Sequence, residues 1–113
     1  MIMTINEPVN IHVIPFKSPR SGRKVANHYV MISGRTAFFQ SYASLIAVYD
    51  RESCTLTLGK DWDYSVTTKK YLWQFLQEYC YPTYANLPNG KSGADRIRKA
   101  INSGIVLYDA NMV

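Results

Sequence analysis

The chain has 113 residues, 47% of them hydrophobic and 19% charged, with a formal net charge of +5 and a pI near 9.3. Such a chain makes a single domain over residues 1–113 with an ordinary core that needs neither metal nor disulfide, and its basic balance favours an anionic partner. Cys54 and Cys80 form no CxxC pair, and two thiols with two histidines are a poor zinc set, so both thiols are expected reduced and mostly buried in a cytoplasmic protein, a disulfide between them being the unsupported alternative.

The opening MIMTINEPVN has neither a basic region nor a sustained apolar run, and no later segment approaches membrane-spanning length, so no secretory leader and no membrane contact are expected. Residues 9–16, VNIHVIPF, alternate as a strand does, and Pro15 marks its end or a sheet edge. KSPRSGRK, residues 17–24, is a loop in which Lys17, Arg20, Arg23 and Lys24 are basic. Residues 25–32 are a second strand, SGR at 33–35 a turn, and TAFFQSY and LIAVYD two further strands or one bent one. Phe38 and Phe39 are adjacent, so in a strand they face opposite sides and one of them asks for a cover or a partner. RES then closes a hairpin into CTLTL, residues 54–58, with Cys54, Leu56 and Leu58 facing inward.

A helical period follows. Leu72, Phe75, Leu76, Tyr79 and Cys80 share one apolar face, while Lys70, Gln74, Gln77 and Glu78 fall largely on the other. Ser65 or Thr67 caps its first turn, and Pro82 stops it at about Tyr81. After a loop, SGADRIRKAINSG is a second helix, with capping-box spacing between Ser92 and Asp95, a buried stripe of Ala94, Ile97 and Ile101, and Gly104 at the left-handed C-cap. IVLYD, residues 105–109, returns to the sheet. The sum is an α+β domain, an antiparallel sheet of about five or six strands with two helices packed on one face.

Three cationic groups are candidates for binding. Lys69 and Lys70 stand in the first turn of a helix, whose free N–H groups and aligned dipoles already make it positive. Either Asp61 and Asp63 offset that cost, or the hydroxyls of Ser65, Thr67 and Thr68 join the two ammonium groups in an anion site. The loop cations Lys17, Arg20, Arg23 and Lys24 could reach a nucleic-acid backbone, or they only solvate a hairpin tip. On the second helix Arg96 and Lys99 share a face and Arg98 points elsewhere. Among the aromatics, Tyr29, Tyr42, Tyr49 and Tyr64 could stack bases or anchor a protein on an open surface.

Catalysis has weaker support. His12 and His28 fall in strands and could form an acid–base pair only if the fold brought them together, and Asp61-Trp62-Asp63 is a short triplet with no further carboxylate at a defined spacing. No Gly-rich phosphate loop is present and no cofactor or metal is expected.

Ser41, Tyr42, Ile46, Ala47, Trp62, Ser65, Thr67, Thr68, Lys69, Leu72, Phe75 and Leu76 carry a resemblance. They look like a small uncharacterised domain of bacteriophages and their hosts, in which an S-Y-x-T-x-I-A strand precedes a tryptophan and an S-x-T-T-x-K/R-H-L-x-x-F-L helix. Tyr71 stands where histidine is common and Ser44 where threonine is common. The resemblance covers about a third of the chain and implies a phage or mobile-element origin, but no activity. The expected function is a non-enzymatic binder of nucleic acid or nucleoprotein. The alternative is a protein-directed inhibitor of host machinery, of the anti-CRISPR kind, working by protein contact. Self-association through an exposed sheet edge is a third possibility.

Overall fold

The computed structural model describes residues 11–112, and they fold as one sheet with a helical layer on one side. The strands are β1 (Ile11–Lys17), β2 (Lys24–Ser33), β3 (Thr36–Ser41), β4 (Ser44–Asp50), β5 (Thr55–Gly59) and β6 (Leu107–Asp109). Between β5 and β6 lie α1 (Val66–Tyr79), a single 3-10 turn (Tyr84–Asn86) and α2 (Gly93–Ser103). The strands lie side by side in chain order, β1 to β5 antiparallel, with β6 parallel to β5. The sheet is therefore mixed rather than wholly antiparallel. Each hairpin turn reverses the chain, whereas the link from β5 to β6 carries both helices, the long crossover that a parallel neighbour requires.

Side-chain alternation builds the core. Across the inner face, His28 and Val30 of β2, Ala37, Phe39 and Ser41 of β3, Ala47 and Tyr49 of β4, and Leu56 and Leu58 of β5 are buried. Over them α1 lays Thr68, Tyr71, Leu72, Phe75 and Leu76, and α2 adds Ile97 and Ala100. Full burial of one Leu or Phe side chain is worth about 1.5–3 kcal/mol, so this face carries most of the folding free energy. Phe39 stacks on Phe75 with ring centroids 5.8 Å apart, which seats the helix on the centre of the sheet.

The outer face is unlike an ordinary wet one. Its central row runs through register partners from Val13 to Met31, Phe38, Val48, Thr57 and Leu107, one residue from every strand. Phe38 is the phenylalanine that faces away from the core, as the adjacent pair requires, and Met31, Phe38 and Val48 are only partly covered by one another.

Several boundaries differ from expectation. Residues 9 and 10 lie outside the described residues; within Ile11–Lys17, Ile11 and Val13 are exposed and Phe16 is the buried residue. Cys54 is not the first inward residue of β5. It sits in the preceding turn with φ +57, half-buried, because the hairpin closes tightly there. The first helix ends at Tyr79, with Cys80 as its C-cap, because Tyr81 precedes a proline and is held out of the helical region. Ser92 and Gly104 cap α2 as the sequence implies, Ser92 Oγ accepting from Asp95 N–H and Gly104 at φ +83. The two cysteines are unbridged.

The strand directions give the sheet two distinct ends. The β1–β2 tip at 17–24, the β3–β4 turn at Tyr42 and the start of α1 share one end. The β2–β3 and β4–β5 turns share the other with the C-terminus of α1, where Tyr49 OH donates to the Tyr81 carbonyl (3.0 Å) and Thr83 Oγ1 to that of Cys54 (3.0 Å).

Candidate functional site

The first of these ends is built around the start of α1. Ser65 has extended backbone and its Oγ accepts the N–H of Thr68 at 3.0 Å, so Ser65, not Thr67, is the cap. The same turn points the Thr68 hydroxyl into the core. His28 and Ser41 are register partners on β2 and β3, and Ser41 Oγ lies 3.1 Å from both His28 Nε2 and Thr68 Oγ1. His28 Nδ1 is 2.8 Å from the Ala26 carbonyl, which has only lone pairs, so Nδ1 donates there and, in the neutral imidazole, Nε2 accepts. The direction of every other bond follows: Ser65 donates to Thr68, Thr68 to Ser41 and Ser41 to His28. This chain satisfies each buried hydroxyl and the imidazole without water.

Beside it lies an open cleft of about 600 Å³, lined by Ser41, Tyr42, Ala43, Ser44, Ile46, Asp61, Tyr64, Ser65, Thr67 and Thr68. Tyr42 and Tyr64 are 58% and 77% exposed. Trp62, two residues before Tyr64, is instead 5% exposed, with the Arg98 guanidinium 5.4 Å from its ring centre. The Asp61 carboxylate accepts from Ser44 Oγ at 3.0 Å.

Lys69 and Lys70 face away from this cleft. With Val66, Trp73 and the first turn of α2 they line a groove of about 500 Å³, and Lys70 Nζ lies 5.3 Å from the Tyr71 ring centre. The single anion site expected from Thr67, Thr68, Lys69 and Lys70 is thus divided: Thr67 looks into the cleft, Thr68 is buried, and the lysines occupy the neighbouring flank. A helical turn separates adjacent side chains by about 100°, which is enough to send them to different grooves.

The lysines are not neutralised. Asp61 is engaged by Ser44, and Asp63 pairs with Arg98 at 3.4 Å. Among the described residues the remaining ion pairs are Lys99 with Asp95 at 3.4 Å and Arg35 with both Asp50 and Glu52. Lys17, Arg20, Arg23, Lys24, Lys69 and Lys70 have no carboxylate partner in that set. Lys17 and Lys24 are register partners across β1 and β2, two like charges opposed where opposite signs would stabilise. Phe16, next to Lys17, meets Tyr71, next to Lys70, with ring centroids 5.5 Å apart, so the base of the hairpin packs on α1; Lys17 shares a groove there with Gln74 and Glu78, while Lys69 and Lys70 lie on the flank toward α2.

Arg96 and Lys99 are differently employed. Arg96 Nε donates to the Pro88 carbonyl (2.9 Å) and its guanidinium lies 5.2 Å from the Trp73 ring centre; Lys99 reaches the Asn89 carbonyl as well as Asp95. Both fasten the 88–95 segment to α2. Tyr49 is wholly buried and leaves the list of open tyrosines, and Tyr29 is half-buried on the outer face.

The catalytic candidates do not assemble. His12 opposes Ile32, which is four residues along β2 from His28, or about 13 Å at the strand rise, so no histidine pair forms. Asp61 and Asp63 line different clefts, and among the described residues no group of three His, Cys, Asp or Glu side chains could hold a metal. Sequence reading missed the His28–Ser41–Thr68 chain because it joins three elements; the only local signal is the polar residues on otherwise apolar inward positions.

Residues 16–91 match the model of a family of unknown function, DUF8033, and the chain belongs to that family. The match takes in the cationic hairpin, the cleft and all of α1, and stops before α2. No curated protein and no solved structure matches the chain. Among the described residues no helix is long and apolar enough to cross a membrane.

Proposed function

We propose that this member of the DUF8033 family binds nucleic acid, free or within a nucleoprotein, through the cationic end of its sheet and without making or breaking bonds. The observation that carries this reading is the Lys17–Lys24 register pair. Two like charges held opposite one another, with Arg20 and Arg23 between them and no carboxylate partner among the described residues, destabilise the hairpin and gain from a polyanion. Lys69 and Lys70 extend the same field along α1, and Tyr42 and Tyr64 add exposed rings on which bases can stack. The opposite end of the sheet shows the contrast: there Arg35 is paired with Asp50 and Glu52.

The test is fluorescence anisotropy with short single- and double-stranded oligonucleotides over a salt series. Affinity is expected to fall with a log–log slope of about 0.7–0.9 per phosphate contact. Binding that is undetectable at low salt, or insensitive to salt, overturns the reading.

A second reading is favoured by the outer sheet face. Its row from Val13 to Leu107 offers apolar surface to a protein partner, in keeping with a phage-encoded inhibitor of host machinery. Capture of the same host protein from lysate with and without nuclease treatment, abolished by Phe38→Glu, supports it; capture lost on nuclease treatment supports the nucleic-acid reading.

A further inference from the structure

The cations leave the neighbouring cleft unexplained. Its one charged lining residue is Asp61, which has no cationic partner among the described residues although it sits at the basic end of a chain of net charge +5. A carboxylate repels phosphate, so this cleft is not a continuation of the backbone track. What a carboxylate seeks is a pair of adjacent N–H donors. The Ser44 hydroxyl, bonded to Oδ2 at 3.0 Å, fixes how the carboxylate is presented.

The other lining groups ask for a flat ligand. Tyr42 and Tyr64 both line the cleft and are largely exposed. Tyr42 is held in the left-handed region at φ +53, a conformation that strains a non-glycine residue, and its N–H is tied to the Asn27 carbonyl at 2.7 Å. The ring is thus presented on rigid backbone rather than on a mobile loop. A volume of about 600 Å³ lies within the usual range of about 300–1,000 Å³ for small-ligand sites.

We propose that the cleft receives one unstacked guanine base of a single strand whose phosphates follow the hairpin and α1 lysines. The proposal rests on the nucleic-acid reading above. Guanine alone among the common bases places a ring N–H beside an amino N–H, matching the two oxygens of one carboxylate. Adenine and cytosine place an amino group beside a bare ring nitrogen, and uracil or thymine flanks its single N–H with carbonyls that a carboxylate repels. An arginine side chain has the same donor geometry, but the net positive charge of the chain disfavours a cationic ligand.

The experiment compares oligonucleotides of equal length, made as DNA and as RNA: a pyrimidine background of thymine or uracil, the same with a single central guanine, and the same with hypoxanthine, which lacks the amino group. The guanine strand is expected to bind about tenfold more tightly than the background, with hypoxanthine between them. Asp61→Asn, whose amide oxygen still accepts from Ser44, removes the preference and leaves the salt slope unchanged. Tyr64→Ala, at an exposed site, weakens guanine binding about tenfold by loss of stacking. Equal binding of all three strands, or a guanine preference that survives Asp61→Asn, overturns the base pocket while the basic surface stands. Failure of every strand to bind overturns both.

Discussion

His28 Nε2 accepts the hydroxyl proton of Ser41 across the β2–β3 register, at 3.1 Å. The pair has the atoms of a nucleophile and its base, but Thr68 and Ser65 continue it into a one-way chain that ends at the cap of α1. Its work is to fasten the start of the helix to the middle of the sheet, next to the cleft. Ser41→Ala strips Thr68 of its acceptor and His28 of its donor at a buried position. It is expected to cost about 1–3 kcal/mol, measured by urea unfolding, whereas Thr68→Ser costs less because the hydroxyl remains. An unchanged Ser41→Ala midpoint overturns this role.

Stability and binding should oppose each other at the hairpin. Lys24→Glu places an opposite charge across from Lys17 and is expected to raise stability by a few tenths of a kcal/mol. The same change weakens oligonucleotide binding and lowers the salt slope by about 0.7–0.9 or more. A variant that is more stable and binds as well as the parent would show that the tip only solvates the protein.

The two ends of the sheet give an internal control. Removing charge at Lys69 and Lys70 together is expected to weaken binding several-fold, while Arg35→Ala, at the paired end, leaves the affinity unchanged. Comparable losses at both ends would mean non-specific attraction to net charge. Neither set touches the core, so circular dichroism should show parental folds.

Burial governs the alkaline limit. The Cys80 thiol is fully buried and is pushed far above its ordinary value of 9.0 by desolvation; burial likewise raises Tyr49 and Tyr79 above 10.0. Folded values above unfolded ones mean that the folded state holds these protons longer. Their contribution is complete below pH 9 and declines as pH rises through 9 and 10. Denaturation midpoints should be flat across neutral pH and fall above it, and Cys80 should resist alkylation until the chain unfolds while half-buried Cys54 reacts first.

The helix is most sensitive at its centre. Phe75→Ala removes the ring stacked on Phe39 and is expected to cost about 3–5 kcal/mol by thermal or urea unfolding. Phe38→Ala, on the outer face, should cost far less, and equal losses would mean that the outer row is covered.

Local chemistry was enough for much of this. The period of Leu72, Phe75 and Leu76, the caps at Ser92 and Gly104, and the opposed faces of Phe38 and Phe39 could all be read because each depends on residues within a turn or two of one another. The same local reading placed the hairpin cations and the α1 lysines. It could not choose between Ser65 and Thr67, nor separate Thr67 from Lys69, because both depend on where the helix begins and which way it is rolled against the sheet.

The sequence by itself determined the strands, the helices and the excess of positive charge, since backbone periodicity and side-chain ionisation are properties of neighbouring residues. Only the tertiary structure decided that β6 lies parallel at an edge, that Thr68 completes a buried chain from Ser65 to His28, and that Asp61 shares a cleft with Tyr42 while Asp63 turns to Arg98. Those relations join residues far apart in the chain, and hydrogen-bond and charge partners are fixed by distance in space, which no spacing along the sequence encodes.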